Sequence, residues 1–90
     1  MKRLTIGIAN FNGGKNLQRA IKSCRKIQIP LEDYEILIAD NCSTDNSINI
    51  INELSKEFPN IVLIENKENV GRIQNWNVCL ENAKGKFLIF

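Results

Sequence analysis

EILIADNCSTDNS, residues 35 to 47, is the stretch that decides the fold. Its apolar run, Ile36-Leu37-Ile38-Ala39, stops at Asp40 and gives way to small polar residues. The run lacks the polar alternation of a half-exposed strand, so it suits the interior of a parallel sheet covered on both faces. Asp40 then stands at the carboxyl edge of that sheet. Open α/β sheets bind ligands at this edge, because the helices that follow the strands present free N–H groups there. Ser43, Thr44 and Asp45 already offer caps for the next helix. A further carboxylate is redundant for capping, and this favours ligand contact over a structural role for Asp40.

Strands and helices alternate outward from this stretch. Leu4 to Ala9 reads as a strand, followed by the turn-rich Asn10-Phe11-Asn12-Gly13-Gly14 and a helix from about Lys15 to Ile27. Leu17, Ala20, Ile21, Cys24 and Ile27 recur at three- and four-residue steps, so one face of that helix is apolar. Pro30 closes the segment. The second strand, Glu35 to Ala39, leads to a helix of about Asn46 to Phe58 that turns Ile50, Ile51, Leu54 and Phe58 inward and ends at Pro59. The third strand is Ile61 to Glu65. A polar loop, Asn66 to Gly71, precedes a third helix in which Ile73, Trp76, Leu80 and Ala83 share the packing face and Gly85 terminates. Lys86 to Phe90 begins a fourth strand. This βαβαβαβ order predicts an α/β fold, a Rossmann-like parallel sheet with flanking helices and right-handed crossovers. Strand order 3-2-1-4 would put the switch point between the first and fourth strands, with Asn10 to Gly14 beside the ligand crevice and Asp40 next to them.

Composition narrows the function. Ninety residues make one small domain or a piece of one, and 43% hydrophobic content supports a modest core. A net charge of +2 argues against a dedicated nucleic-acid binder. The charge is uneven, because every charged residue before Glu32 is basic. Lys15, Arg19, Lys22 and Lys26 fall at helical spacing and read first as a solvated stripe, second as a surface for an anionic membrane or acidic partner. Cys24, Cys42 and Cys79 are far apart and odd in number, which predicts reduced thiols rather than a disulfide framework or a metal site. No apolar run approaches the roughly 20 residues that span a bilayer, and the start lacks a signal peptide's long apolar core. A soluble, cytoplasmic chain is the expectation. The abundance of Asn, Ile and Lys hints only at an AT-rich coding sequence.

The first loop, Ala9 to Lys15, has two glycines without the GxGxxG spacing that seats a dinucleotide pyrophosphate, and it is not a P-loop. It offers an aromatic ring, Phe11, flanked by amides near the sheet edge. Such a set can stack on a base while hydrogen-bonding its edge. The competing reading makes Phe11 a core plug and the asparagines turn formers.

Three segments carry a family resemblance: TIGIANFNGGKNLQRAIKSC, then EILIADNCSTDNSINII, then ENVGRIQNWNVCLENAKGKFLIF. In this order and spacing they resemble the amino-terminal half of the family 2 glycosyltransferases, inverting enzymes that use nucleotide-diphosphate sugars. The resemblance covers nearly the whole chain and implies the nucleotide-binding half of a GT-A type fold. It carries over by position. Ala9, Asn10 and Phe11 match the Pro-Thr-Tyr positions that line the base pocket, Phe11 keeping the stacking face without the hydroxyl. Asn12 matches the family asparagine. Asp40 matches the first acid of a pair and implies a nucleoside contact. Asn41 replaces the second acid, which in some members reads the uracil edge. An amide presents both donor and acceptor, whereas an ionised acid only accepts. Ser43, Thr44 and Asp45 match residues that shape the turn and cap the next helix. Arg72, just after Asn69-Val70-Gly71, stands where a cation can pair with the diphosphate. Asn77 matches a helix asparagine expected to tie loops together, and Trp76 is expected to pack in the core.

The resemblance also implies what these residues lack. The family's Asp-x-Asp motif would follow Phe90, with the general base and acceptor region later still. A divalent metal, Mn or Mg, is therefore expected for the full-length parent and none for these residues alone. Residues 1 to 90 are expected to form one nucleotide-sugar-binding domain, incomplete at its carboxyl end and inactive by itself. The parent would transfer a sugar from a nucleotide-diphospho-sugar to a glycan or lipid-linked acceptor, in the cytoplasm or peripherally at the inner face of the membrane. Self-association through the truncated sheet edge is expected as well. The alternative is a non-catalytic Rossmann-like module that binds a nucleotide or a partner.

Overall fold

The computed structural model describes residues 3–89. Its elements run β1 (Leu4–Asn10), α1 (Gly14–Ser23), β2 (Tyr34–Asp40), α2 (Ser47–Leu54), β3 (Ile61–Glu65), α3 (Arg72–Asn82) and β4 (Lys86–Ile89). Phe90, expected to continue the fourth strand, lies outside the described residues. All strands are parallel and pair in the order β3-β2-β1-β4, the order expected from the alternation. All seven residues of β2 are buried, which is why its apolar run shows no alternation. No described helix is long and apolar enough to cross a membrane.

The register sets which residues meet at the edge of the sheet. β1 pairs with β2 along its whole length, from Leu4↔Tyr34 to Asn10↔Asp40. Its pairing with β4 runs from Leu4↔Lys86 to Gly7↔Ile89 among the described residues. Asn10 and Asp40 thus lie side by side at the carboxyl edge, next to the point between β1 and β4 where strand order reverses.

Right-handed crossovers put α1 and α2 on one face and α3, which carries the chain back across the sheet, on the other. The main core lies on the first face, where Ile6, Ile8, Ile36 and Ile38 meet Leu17 and Ile21 of α1, Ile51 and Leu54 of α2, and Phe58. Each such side chain contributes roughly 1.5–3 kcal/mol of transfer free energy. The stripe expected on the first helix holds: Leu17, Ile21 and Cys24 are buried, and Ala20 and Ile27 are half-buried against them. That helix is shorter than expected, because α1 gives way to a tighter 3-10 turn at Cys24–Lys26. α2 likewise ends at Leu54, and the N–H groups of Glu57 and Phe58 both fold back onto the Leu54 carbonyl.

Two expectations fail on the other face. α3 packs on β1 and β2, but it buries Asn75 and Cys79 rather than the apolar stripe. Ile73 is 79% exposed and Leu80 54%, while Trp76 and Ala83 are half-buried. The side turned to the sheet is chosen by bonds: Asn75 donates from Nδ2 to the Ala39 carbonyl at 2.9 Å, and the Cys79 thiol reaches the Ile8 carbonyl at 3.8 Å. Gly85 does not end the helix either, since α3 closes at Asn82 with an extended Ala83. It is needed for close approach, because a Cβ there would lie 2.7 Å from the Leu4 nitrogen.

A polar clasp holds this last turn to the sheet. Thr5 and Glu35, register partners on β1 and β2, are 0% and 1% exposed. The Thr5 hydroxyl donates to Glu35 Oε2 at 2.6 Å, and the Lys84 N–H donates to the same oxygen at 2.9 Å. Gly85 N–H in turn donates to Thr5 Oγ1 at 2.9 Å. Thr5→Val keeps the shape but leaves a buried carboxylate and the Gly85 N–H each short of a partner. It should lower the unfolding free energy by roughly 2–3 kcal/mol in urea denaturation, while Thr5→Ser, which keeps the hydroxyl, should lose much less.

Candidate functional site

The loops after β1, β2 and β3 converge at the carboxyl edge of the sheet around a cleft of about 340 Å³. Ala9, Asn10, Phe11, Asn41, Asn69, Arg72 and Asn75 line it. Of the residues singled out from the sequence, Ala9, Asn10, Phe11, Asn41 and Arg72 come together here. Asn12 and Asp40 do not line the cleft; they build the scaffold behind it.

Asp40 is 1% exposed, and both its oxygens are engaged inside the protein. Oδ1 accepts from Asn10 Nδ2 at 2.8 Å and from the Ser43 hydroxyl at 2.6 Å, and Oδ2 accepts from the Ser43 N–H at 2.9 Å. A buried carboxylate is costly unless it is bonded in this way. Asn12 bridges the same two loops. Its backbone is left-handed, φ 54, a conformation asparagine tolerates. Its Oδ1 accepts from the N–H groups of Thr44 at 2.7 Å and Asp45 at 3.2 Å, and its own N–H donates to the Ser43 hydroxyl at 3.0 Å.

The opposite wall is made of amides. Asn66 Nδ2 donates to Asn75 Oδ1 at 2.7 Å and to Asn41 Oδ1 at 3.2 Å. The Val70 N–H donates to Asn41 Oδ1 at 2.9 Å. Asn41 Nδ2 donates to Asn69 Oδ1 at 2.9 Å and to the Gly71 carbonyl at 3.4 Å, and Gly71 N–H donates to Asn69 Oδ1 at 2.9 Å. Gly71 itself takes φ 87, where a side chain would be strained. Asn66, Asn69 and Asn75 were missed as site residues; Asn69 stands in the Asn-Val-Gly that the resemblance matches, and Asn66 and Asn75 have no sequence signal beyond the density of asparagine around it. The expected loop tie, Asn77, is exposed and bonds only Gln74 Oε1 at 3.4 Å among the described residues. Asn75, two residues earlier, does that work because it faces the sheet.

The cleft therefore presents a half-exposed aromatic ring, Phe11 at 50%, and one cation, Arg72, with no carboxylate in its lining. Arg72 is also the first residue of α3, whose free N–H groups favour an anion. A divalent cation does not fit this donor set. No group of three His, Cys, Asp or Glu stands together among the described residues, and the nearby carboxylate of Asp40 is already committed. The three cysteines are free, and burial pushes the thiols of Cys24 and Cys79 up from their ordinary pKa.

The model of Glycosyl transferase family 2 matches residues 5–90. A poly(ribitol-phosphate) beta-glucosyltransferase of Bacillus spizizenii is 33% identical over 89 residues, 98% of this chain and 14% of that protein. A dolichyl N-acetyl-alpha-D-glucosaminyl phosphate 3-beta-D-2,3-diacetamido-2,3-dideoxy-beta-D-glucuronosyltransferase of Methanococcus voltae is 34% identical over 91 residues, 99% of this chain and 28% of that protein. The chain thus spans well under a third of either relative. Among solved structures, S. aureus TarS 1-349 in complex with UDP superposes with a TM-score of 0.88 at 23% identity, covering 98% of this chain and 26% of that one. At this identity the likeness establishes a shared fold.

The turn behind the cleft has a pH signature. The Ser47 hydroxyl is the main group that holds the Asp45 carboxyl below its usual pKa of 3.8, with help from the Ser47 and Gly14 N–H groups. The folded pKa is depressed, so this contribution is present above the unfolded value and is lost as pH falls through the folded one. Asp45→Asn should be less stable than the parent above pH 3.8, and the gap should close as pH is lowered further in denaturant titrations across the acid range.

Proposed function

The chain belongs to glycosyl transferase family 2, and from that premise we propose that it is the donor-nucleotide-binding part of a larger inverting glycosyltransferase. The parent moves a sugar from a nucleoside diphosphate to a hydroxyl of a glycan or lipid-linked acceptor. The observation that carries this reading is the pairing, in one cleft at the switch point, of the exposed Phe11 ring with Arg72 at the start of α3. The relatives act on poly(ribitol-phosphate) and on a dolichyl-linked sugar, and solved structures of this fold hold UDP or GDP-mannose with Mn2+, in keeping with a donor of this class.

Each group has a task in this proposal. Phe11 stacks on the base, a contact worth roughly 1–3 kcal/mol. Arg72 and the first N–H groups of α3 bind the diphosphate and hold the charge that builds on it as the sugar departs. Asn10 is fixed by Asp40, so the wall of the cleft keeps its shape before the donor arrives. The acceptor site, the base that deprotonates the acceptor hydroxyl and the carboxylates for a divalent metal belong to other parts of the parent. The ninety residues bind the donor without turning it over.

Amide NMR titration with UDP, GDP and dTDP, each with and without Mn²⁺, tests the reading. Shifts should gather at Ala9 to Phe11 and Asn69 to Arg72. Arg72→Ala should weaken the diphosphates by about tenfold or more while sparing the free nucleoside, since it removes a charge-assisted contact of roughly 1.5–3 kcal/mol. Phe11→Ala should weaken both. An unsubstituted ninety-residue chain that shifts with none of the three nucleotides would sink the proposal.

A further inference from the structure

Asn41 forms part of the cleft wall, yet its carboxamide has nothing left to offer a ligand. A carboxamide has two N–H donors and two oxygen lone pairs. Here Nδ2 is used by Asn69 Oδ1 and the Gly71 carbonyl, and Oδ1 by Asn66 Nδ2 and the Val70 N–H. Every one of these partners lies in the single loop between β3 and α3. We infer that Asn41 is a positioning residue that clamps this loop to the end of β2 and so sets where Asn69 and Arg72 stand in the cleft, and that its side chain does not read the nucleotide base. The part of this inference that concerns donor binding rests on the function proposed above; the clamp itself does not.

The geometry makes the amide specific. Asn41 follows directly on the buried Asp40, so its backbone is fixed by the sheet, and its N–H donates to the Asn10 carbonyl at 2.8 Å. From there the bonds pass outward to Asn69, which in turn holds the Gly71 N–H at 2.9 Å, one residue before Arg72. A carboxylate of the same shape would keep the two accepted bonds but turn lone pairs toward Asn69 Oδ1 and the Gly71 carbonyl. Aspartate is therefore not a conservative replacement here, although protonating it would restore one donor.

Hydrogen exchange of the Val70 and Gly71 amides tests the clamp without any ligand. Asn41→Asp should reduce protection of the Gly71 N–H by about tenfold near neutral pH, the equivalent of one net hydrogen bond, while Val70 stays protected. Protection, corrected for the intrinsic rate, should return as the new carboxyl is protonated at low pH. Asn41→Ala should expose both amides with no recovery at low pH. Asn69→Ala changes an exposed side chain and covers the case in which Asn41→Ala does not fold; it should free Gly71 and leave Val70 protected. UDP affinity should fall with each Asn41 variant, and Arg72→Ala should cost less affinity on the Asn41→Asp background than on the parent, because the arginine is already out of place. Unchanged protection of both amides in Asn41→Asp and Asn69→Ala would overturn the clamp. Unchanged protection in Asn41→Ala together with weaker UDP binding would assign Asn41 to the base instead. If the unsubstituted chain does not bind UDP, the proposed function fails while the exchange data still decide the clamp.

Discussion

A carboxylate buried at the end of the central strand organises the functional edge of this molecule. Asp40 is removed from water and must be bonded on both oxygens, because an unpaired buried charge costs several kcal/mol. The partners it takes are Asn10 from the end of β1 and Ser43 from its own turn. Meeting that one requirement brings the first two loops together. Asn12 then adds a second seam between them, and the cleft acquires one wall before any ligand is present.

The parallel sheet and its order were legible because they depend on patterns a sequence displays openly: apolar runs, turn clusters and the handedness of crossovers. Burial on both faces is why Ile36-Leu37-Ile38-Ala39 could be placed at the centre. The cleft was half legible. Ala9, Asn10, Phe11, Asn41 and Arg72 were singled out and do meet, but whether a polar side chain at a strand end points at a ligand or at its own protein is set by neighbours far away in the chain. Asp40 and Asn12 turn inward for that reason. Asn66 and Asn75 were invisible for the converse one, and Asn69 was legible only as part of the Asn-Val-Gly match. Their role exists only as a network, and the abundance of asparagine does not by itself say which amides meet.

A lattice of amides is an apt scaffold for a site that must be ready before its ligand binds. Carboxamides supply donors and acceptors together, so a chain of them can satisfy itself without net charge. The cleft then keeps a single charge of its own, on Arg72, and an anion entering it meets no carboxylate in the lining. Pre-arrangement of this kind reduces the ordering cost that binding would otherwise carry.

The same preference for bonds over apolar contact explains the exposed ridge on α3. The helix is fastened near its start by Asn75 to the Ala39 carbonyl, and the turn beyond its end is fastened by the Lys84 and Gly85 N–H groups to Glu35 and Thr5. Two polar anchors, one toward each end of the sheet, fix the rotation of the helix about its axis. With Asn75 and Cys79 turned to the strands, the stripe holding Ile73 and Leu80, roughly a quarter-turn or more away around a helix of 3.6 residues per turn, has to face outward. Arg72 inherits its place from this arrangement. Its backbone is held by Gly71 and the Asn41 clamp on one side and by Asn75 on the other, so the cation of the cleft is positioned by buried amides rather than by hydrophobic packing of its own helix.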